Sequence, residues 1–314
     1  MAFPGPLDIL WPHTQHRRLI ARGRRKCHVS RVLAVTHGHI GRACLLDKVR
    51  PAGAHAHPVH HAMIELDGPC HAYQVGEASA VLAPRHAVLV NSHELHANLS
   101  VGQGRSTILM LYFSPLWIEE QFPGLPAYVR FFRHSSVQLG ADTVELAQRL
   151  ARHMLEAAEI NTPDVQALFG ELAEHLCHQH GPTYPNRERP ARSNDYRIRR
   201  AIALMQEHLE EPLPTQEIAA RVGLSRSRFF ELFTACTGLS PKHYVNMLRL
   251  HAAVEYLADD PGPIAELSQR CGFGAQSHFS KFFVDQQGFT PRDYRRAAVP
   301  ALPRQCEQAD IPQP

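Results

Sequence analysis

The chain has 314 residues, 44% apolar and 20% charged, proportions that exclude a fibrous or wholly disordered protein and leave room for two domains. No uninterrupted apolar run reaches the roughly 18 residues needed to span a bilayer. The net charge of +3 is unevenly placed: residues 1–50 carry ten Lys and Arg against two acids, residues 51–190 eight against fourteen, and residues 191–297 fourteen against twelve.

The first dozen residues hold three prolines and an aspartate, without the basic start and apolar stretch of a signal peptide, so a cytoplasmic protein with no membrane partner is expected. The basic cluster Arg17, Arg18, Arg22, Arg24, Arg25 and Lys26 is either a DNA-phosphate contact or a solvated face. The seven cysteines (27, 44, 70, 177, 236, 271 and 306) are odd in number and never spaced Cys-x-x-Cys. That argues against a disulfide framework and a structural zinc knuckle. Cys177, Cys236 and Cys271 fall at apolar helical positions and read as small buried hydrophobes.

From about residue 29 to 113, short β-branched runs such as Arg31–Thr36, Ala80–Ala83, Ala87–Val90 and Thr107–Phe113 alternate with Gly, Pro, Asn and Ser. This pattern predicts a small all-β barrel. Helical spacing follows at Val144, Leu146, Leu150 and Leu155, and again at Val165, Leu168, Leu172 and Leu176. An antiparallel helical pair is expected there, covering the barrel or serving dimerisation. Residues 181–194, with three prolines, a glycine and many polar groups, read as a linker.

Beyond the linker the apolar period becomes 3.6. Ile198, Ile202, Met205 and Leu209 form a stripe behind a capping Ser-Asn-Asp start, and Pro212 and Pro214 end it. An internal repeat follows. Ile218-Ala-Ala-Arg-Val-Gly223-Leu overlays Leu267-Ser-Gln-Arg-Cys-Gly272-Phe at an offset of 49, and Phe229-x3-Phe233-x4-Gly238-Leu-Ser-Pro241 overlays Phe279-x3-Phe283-x4-Gly288-Phe-Thr-Pro291 at an offset of 50. One residue has therefore been added in the second turn.

Each repeat reads as a short amphipathic helix, a turn at a glycine free to take positive φ, and a second helix with two phenylalanines one turn apart. That is helix-turn-helix geometry, in which the second helix presents its amino-terminal outward residues to the major groove. A glycine ends each second helix, and a hydroxyl followed by proline starts the next one. Pro241–Leu257 is then a connecting helix roughly 25 Å long at 1.5 Å per residue. Such a spacer suits recognition helices that enter successive major-groove segments about 34 Å apart.

Ile218-Ala-x3-Gly223-Leu-Ser225, Gly272-Phe, Ser277-x-Phe279-Ser-Lys281-x-Phe283 and Gly288-Phe-Thr-Pro-x2-Tyr294-Arg295 resemble the signature of the AraC/XylS family over residues 195–296. The resemblance implies binding to double-stranded promoter DNA and, commonly, activation through contact with RNA polymerase. Carried over by position, it implies DNA-facing residues Arg226, Ser227, Phe230 and Glu231 in the first unit and Gln276, Ser277, His278 and Lys281 in the second. Gln276 can pair with adenine, and Lys281 can reach guanine or phosphate. Phe230 and Glu231 depart from the family habit of a small polar and a basic residue. Glu231 can accept from cytosine; Phe230 covers a thymine methyl or packs on the connecting helix.

The same resemblance implies an amino-terminal, cupin-like domain that senses a small-molecule effector and often forms a homodimer. Cupin metal sites resemble His55-Ala-His57, with His61 where an acid is usual, Gly68 beyond it, and His96 closing a second motif whose Pro and Gly are replaced by Asn91 and His93. Imidazoles in this number suit a divalent transition metal. His55, His57, His61 and His96 are thus metal ligands, ligand-pocket residues or surface histidines.

The expected architecture is α+β. A cupin-like β-barrel with a helical pair (1–180) and a linker (181–194) precede an all-α domain of two helix-turn-helix units joined by a connecting helix (195–298), with a flexible tail (299–314). The expected function is a ligand-responsive, non-enzymatic transcription regulator, with a divalent transition metal in the amino-terminal domain as its one candidate cofactor. The competing reading is a metal-dependent cupin enzyme carrying a DNA-binding appendage. A DNA-repair regulator needs a four-cysteine zinc site that the scattered cysteines do not provide, and a ligand-free architectural protein leaves the amino-terminal half without a task.

Overall fold

The computed structural model describes residues 30–49, 51–101, 105–123, 130–156, 161–182 and 195–298. The basic cluster at 17–26, linker residues 183–194, the tail, Cys27 and Cys306 lie outside the described residues.

Nine strands run in chain order among the described residues: β1 (Arg31–Gly38), β2 (Gly41–Lys48), β3 (His61–Asp67), β4 (His71–Val75), β5 (Ala78–Leu82), β6 (His86–Val90), β7 (His96–Val101), β8 (Ser106–Phe113) and β9 (Ser136–Gln138). Two antiparallel sheets result, one ordered β1-β2-β8-β3-β6-β9 and the other β5-β4-β7. The β2–β8 ladder runs unbroken from Gly41 opposite Phe113 to Lys48 opposite Ser106.

Both faces of the large sheet are covered, which is why strands such as β2 are buried along most of their length instead of alternating. On one face Ala34, Leu45, Ile64, Leu89 and Leu111 pack against three helices. These are α1 (Pro115–Gln121), α2 (Ala141–Glu156) and α3 (Pro163–His180). The other face is divided. Met63, Val88, Val90 and Ile108 pack on Tyr73, Val75 and Leu82 of the small sheet, while Val35, Cys44, Leu46 and Tyr112 pack on the carboxy-terminal helices.

Those helices are α4 (Tyr196–Glu207), α5 (Thr215–Arg221), α6 (Arg226–Thr237), α7 (Pro241–Asp259), α8 (Ile264–Arg270), α9 (Gln276–Gln287) and α10 (Pro291–Ala298). Local chemistry sets their limits. The Asp195 side chain caps α4 by accepting from Arg197 N–H at 2.9 Å. Ser225 and Ser240 cap α6 and α7 in the same manner. Gly238 and Gly288 close α6 and α9 in the left-handed conformation at φ 77° and 81°. The connecting helix α7 runs two residues past the expected Leu257, to Asp259.

The turn between α5 and α6 spans residues 222–225, and that between α8 and α9 spans 271–275. The change of offset from 49 to 50 is therefore the longer second turn. It also removes the hydroxyl cap: Ala275 stands at the start of α9 without a side-chain bond.

Each unit has its own core. Phe229 and Phe233 pack with Ile198, Ile218, Tyr244 and Met247, and Phe279 and Phe283 pack with Leu250, Leu257, Leu267 and Tyr294. Cys177, Cys236 and Cys271 are buried free thiols.

Candidate nucleic-acid interface and histidine chamber

The paired phenylalanines turn α6 and α9 toward their cores, and 3.6-residue periodicity then sends the remaining positions outward. Arg226, Ser227, Phe230 and Glu231 are exposed on α6, and Gln276, Ser277, His278 and Lys281 are exposed on α9. Phe230 keeps 51% of its surface, more than a residue packed on the connecting helix would. Arg228 was missed by the family comparison. It is exposed in the first turn of α6, and its Nη1 lies 3.4 Å from Glu231 Oε2, so the acid at the unusual position is paired with a neighbouring base. Both side chains are largely solvated, and the pair adds little stability.

A second cluster lies between the large sheet and the carboxy-terminal helices. The segment carrying His55 and His57 is an irregular loop held by one β-bridge, His55 to His96, with backbone bonds of 2.9 and 2.8 Å. One donor nitrogen from each of His55, His57 and His96 lies within 4.8 Å of the other two. His61, expected with them, stands beside this trio. Its ring is centred 4.9 Å from that of His57 and 4.7 Å from that of His96, and it stacks on Tyr112 at 5.3 Å. His60 faces elsewhere: its Nδ1 accepts from Ser92 N–H at 3.0 Å.

The donors are arranged as metal ligands usually are. His55 Nδ1–H donates to the Gly53 carbonyl at 2.7 Å and His96 Nδ1–H to the Glu94 carbonyl at 3.0 Å. A carbonyl only accepts, so each contact fixes the tautomer and leaves Nε2 as the free base. His57 Nε2, His96 Nε2 and both polar atoms of Asn98 are buried without a hydrogen-bond partner. Burial holds His55 down to about 4 and His61 to about 3, and burial with neighbouring histidines holds His57 and His96 well below the usual imidazole range. The rings are therefore neutral and competent to ligate at physiological pH. A cavity beside them is lined by Lys48, His55, His96 and Asn98, and by Gln286 and Gln287 from the end of α9. Three neutral imidazoles, two of them with a buried nitrogen left without a partner, fit a borderline transition ion such as Zn(II), Co(II) or Ni(II).

Among known proteins, a family profile described as a helix-turn-helix domain matches residues 218–297. The HTH-type transcriptional activator RhaS of Klebsiella pneumoniae (strain 342) is 32% identical over 106 residues, covering 34% of this chain and 38% of RhaS. The chain thus spans about two fifths of the length of the curated relatives it matches. A transcriptional regulator with an AraC-type DNA-binding domain from Chromobacterium violaceum is 35% identical, covering 32% of this chain and 89% of that one, with a TM-score of 0.30. ToxT of Vibrio cholerae strain SCE256 is only 10% identical but covers 87% of this chain and 97% of its own, with a TM-score of 0.52, and so shares the fold.

Proposed function

Because the carboxy-terminal third of this chain is an AraC/XylS-type tandem helix-turn-helix domain, we propose that the protein is a sequence-specific, DNA-binding transcription regulator. The observation that carries this reading is the pair of helices α6 and α9, each with a polar outward face left exposed and each anchored by buried phenylalanines. A spacer of 19 residues in α7 corresponds to about 28 Å, which suits two adjacent major-groove segments. In this reading α9 specifies through Gln276 and Lys281, and α6 positions through Arg226 and Ser227.

Activation through RNA polymerase is the sense suggested by the relatives named as activators. The amino-terminal residues act as the sensor of a small-molecule effector. Support comes from the buried, unpartnered polar atoms of His57, His96 and Asn98, which native proteins rarely leave without a ligand, ion or water. A homodimer would use the outer faces of α2 and α3, whose inner faces are consumed by the sheet.

The test is binding, by fluorescence anisotropy, to a DNA fragment selected by the full-length protein from a random pool. Gln276→Ala and Lys281→Ala are each expected to weaken specific binding by about 1–3 kcal/mol. Unchanged affinity and specificity in both variants would remove α9 from the interface.

A further inference from the structure

Two loops of the amino-terminal region carry the histidine trio, and both also grip the carboxy-terminal helices. In the first, residues 52–57, His55 and His57 face the chamber. Gly53 N–H donates to the Asp285 carbonyl in the last turn of α9 at 2.8 Å, while its carbonyl orients His55. Ala56, between the two ligands, is buried in the core of the first helix-turn-helix unit. In the second loop, residues 93–96, His96 faces the chamber. Leu95 packs on that same first-unit core, and His93 stacks on Tyr244 of α7 with ring centroids 5.7 Å apart. The loops are bonded to each other by the His55–His96 bridge and by His93 N–H donating to the His57 carbonyl at 2.7 Å. His93 holds φ at +61°, a conformation that costs a non-glycine residue free energy and persists where its surroundings impose it.

We propose that His55, His57 and His96 bind one divalent transition ion through their free imidazole nitrogens, and that this ion locks loops 52–57 and 93–96 so that they clamp both helix-turn-helix units in one relative placement. The ion is thus a regulator of DNA binding as well as a ligand. The contacts supply the necessary link, because no residue of the trio is more than two positions from one that touches a carboxy-terminal helix: Gly53 on α9, Ala56 and Leu95 on the first unit. Gln286 and Gln287, at the end of α9, line the cavity beside His55 and His96. By linkage, whatever factor the ion contributes to docking, docking returns to the affinity for the ion. The part of the proposal that concerns DNA rests on the regulator reading; the metal site and the clamp do not.

The experiment uses untagged full-length protein, stripped with chelator and titrated with Co(II). One equivalent is expected to develop the visible ligand-field bands of a nitrogen-ligated ion. His57→Ala and His96→Gln should each weaken binding at least tenfold while keeping the wild-type circular dichroism spectrum; two variants are used because either alone can disturb the loops. Hydrogen exchange is then compared with and without Co(II). Slower exchange is expected in both loops, at the carboxy-terminal turn of α9 and around Tyr244 of α7. Failure of the wild-type protein to bind Co(II) overturns the site, as does binding that both variants retain in full. Protection confined to the two loops overturns the clamp. With the selected DNA fragment, loading is expected to change affinity at least fivefold, within the usual range of allosteric coupling. Equal affinity of loaded and stripped protein overturns the regulatory role. If neither state binds DNA, the regulator reading fails, and the metal site and clamp are still decided by the absorption and exchange results.

Discussion

Gly223 and Gly272 sit at equivalent places in the two repeats, with φ of +71° and +75°. Any L residue there meets the penalty of the left-handed conformation, roughly 1–2 kcal/mol. Their surroundings differ. A Cβ on Gly223 would meet nothing within 4 Å, whereas one on Gly272 would lie 2.3 Å from the Leu209 carbonyl oxygen and 3.1 Å from Arg249 Nη2. Arg249 is itself engaged, donating to the Gly272 carbonyl at 3.1 Å and lying over the Phe273 ring. Gly223→Ala is therefore expected to cost about 1–2 kcal/mol in urea denaturation, and Gly272→Ala a further 1–3 kcal/mol or so from the forced backbone shift. Equal losses would show that the approach of Leu209 to the second turn is not a real constraint. Conformation made the first glycine legible in the sequence; the close approach that distinguishes the second comes from a residue more than sixty positions away.

At the scale of elements, what was legible was what is local. Turn glycines, capping hydroxyls and phenylalanines one turn apart all act within a few residues, so the repeat gave both units and even placed the extra residue in the second turn. The strands were read less completely. β2 and β3 are covered on both faces, and the alternation that betrays a strand is lost where both faces are apolar. The Arg42 guanidinium lies 4.1 Å from the centre of the Tyr112 ring and 3.4 Å from the Tyr294 hydroxyl, a partner 252 residues away that no local pattern announces. His55, His57, His61 and His96 were named from the sequence, but the bridge that sets His55 beside His96 joins positions forty-one residues apart and has no local signal. A further buried group joins strands β3, β4 and β8: His71 Nε2 lies 2.5 Å from Ser106 Oγ and 3.4 Å from Glu65 Oε2. Burial pushes the Glu65 carboxyl up to about 8 and holds His71 down to about 4, so both are neutral near pH 7. With its folded-state value raised from 4.5 to about 8, Glu65 holds a proton in the native state that the unfolded chain releases across that window. Its contribution to stability is thus present at low pH and declines as pH rises from about 4.5 to 8, by at most about 1.4 kcal/mol per pH unit for one proton. Glu65→Gln, neutral throughout, is expected to flatten that decline in urea denaturation series across the window. A variant with the same slope as wild type would mean that Glu65 ionises normally.

For the whole molecule, the decisive feature is that the large sheet spends one face on two different neighbours. Its β3 and β6 end, with Ile108 of β8, meets the small sheet, and its β1 and β2 end, with Tyr112 of β8, meets the second helix-turn-helix unit through Val35, Cys44, Leu46, Phe289 and Tyr294. Among the described residues, the first unit's apolar core takes in Ala56 and Leu95 of the two histidine loops instead of residues of the sheet. The second unit and the sheet thus share one apolar core, and removing either exposes side chains of the other to water at roughly 25 cal/mol per Å² of apolar surface. Such sharing makes independent unfolding costly, so the chain is expected to melt as one cooperative unit and not as two domains joined by a linker. Trp117 gives a convenient local probe, because it is buried between α1 and the sheet, while far-UV ellipticity is dominated by helices that are mostly carboxy-terminal. In urea, and with Trp11→Phe leaving Trp117 as the sole tryptophan, fluorescence and ellipticity should lose their native values at the same midpoint. Tyr294→Ala removes a ring that is 1% exposed and stacked on Phe289. It is expected to cost about 3–5 kcal/mol and to separate the two midpoints, with ellipticity falling first. Separate midpoints in the unaltered protein would mean that the seam under Arg42 contributes too little to bind the two regions into one folding unit.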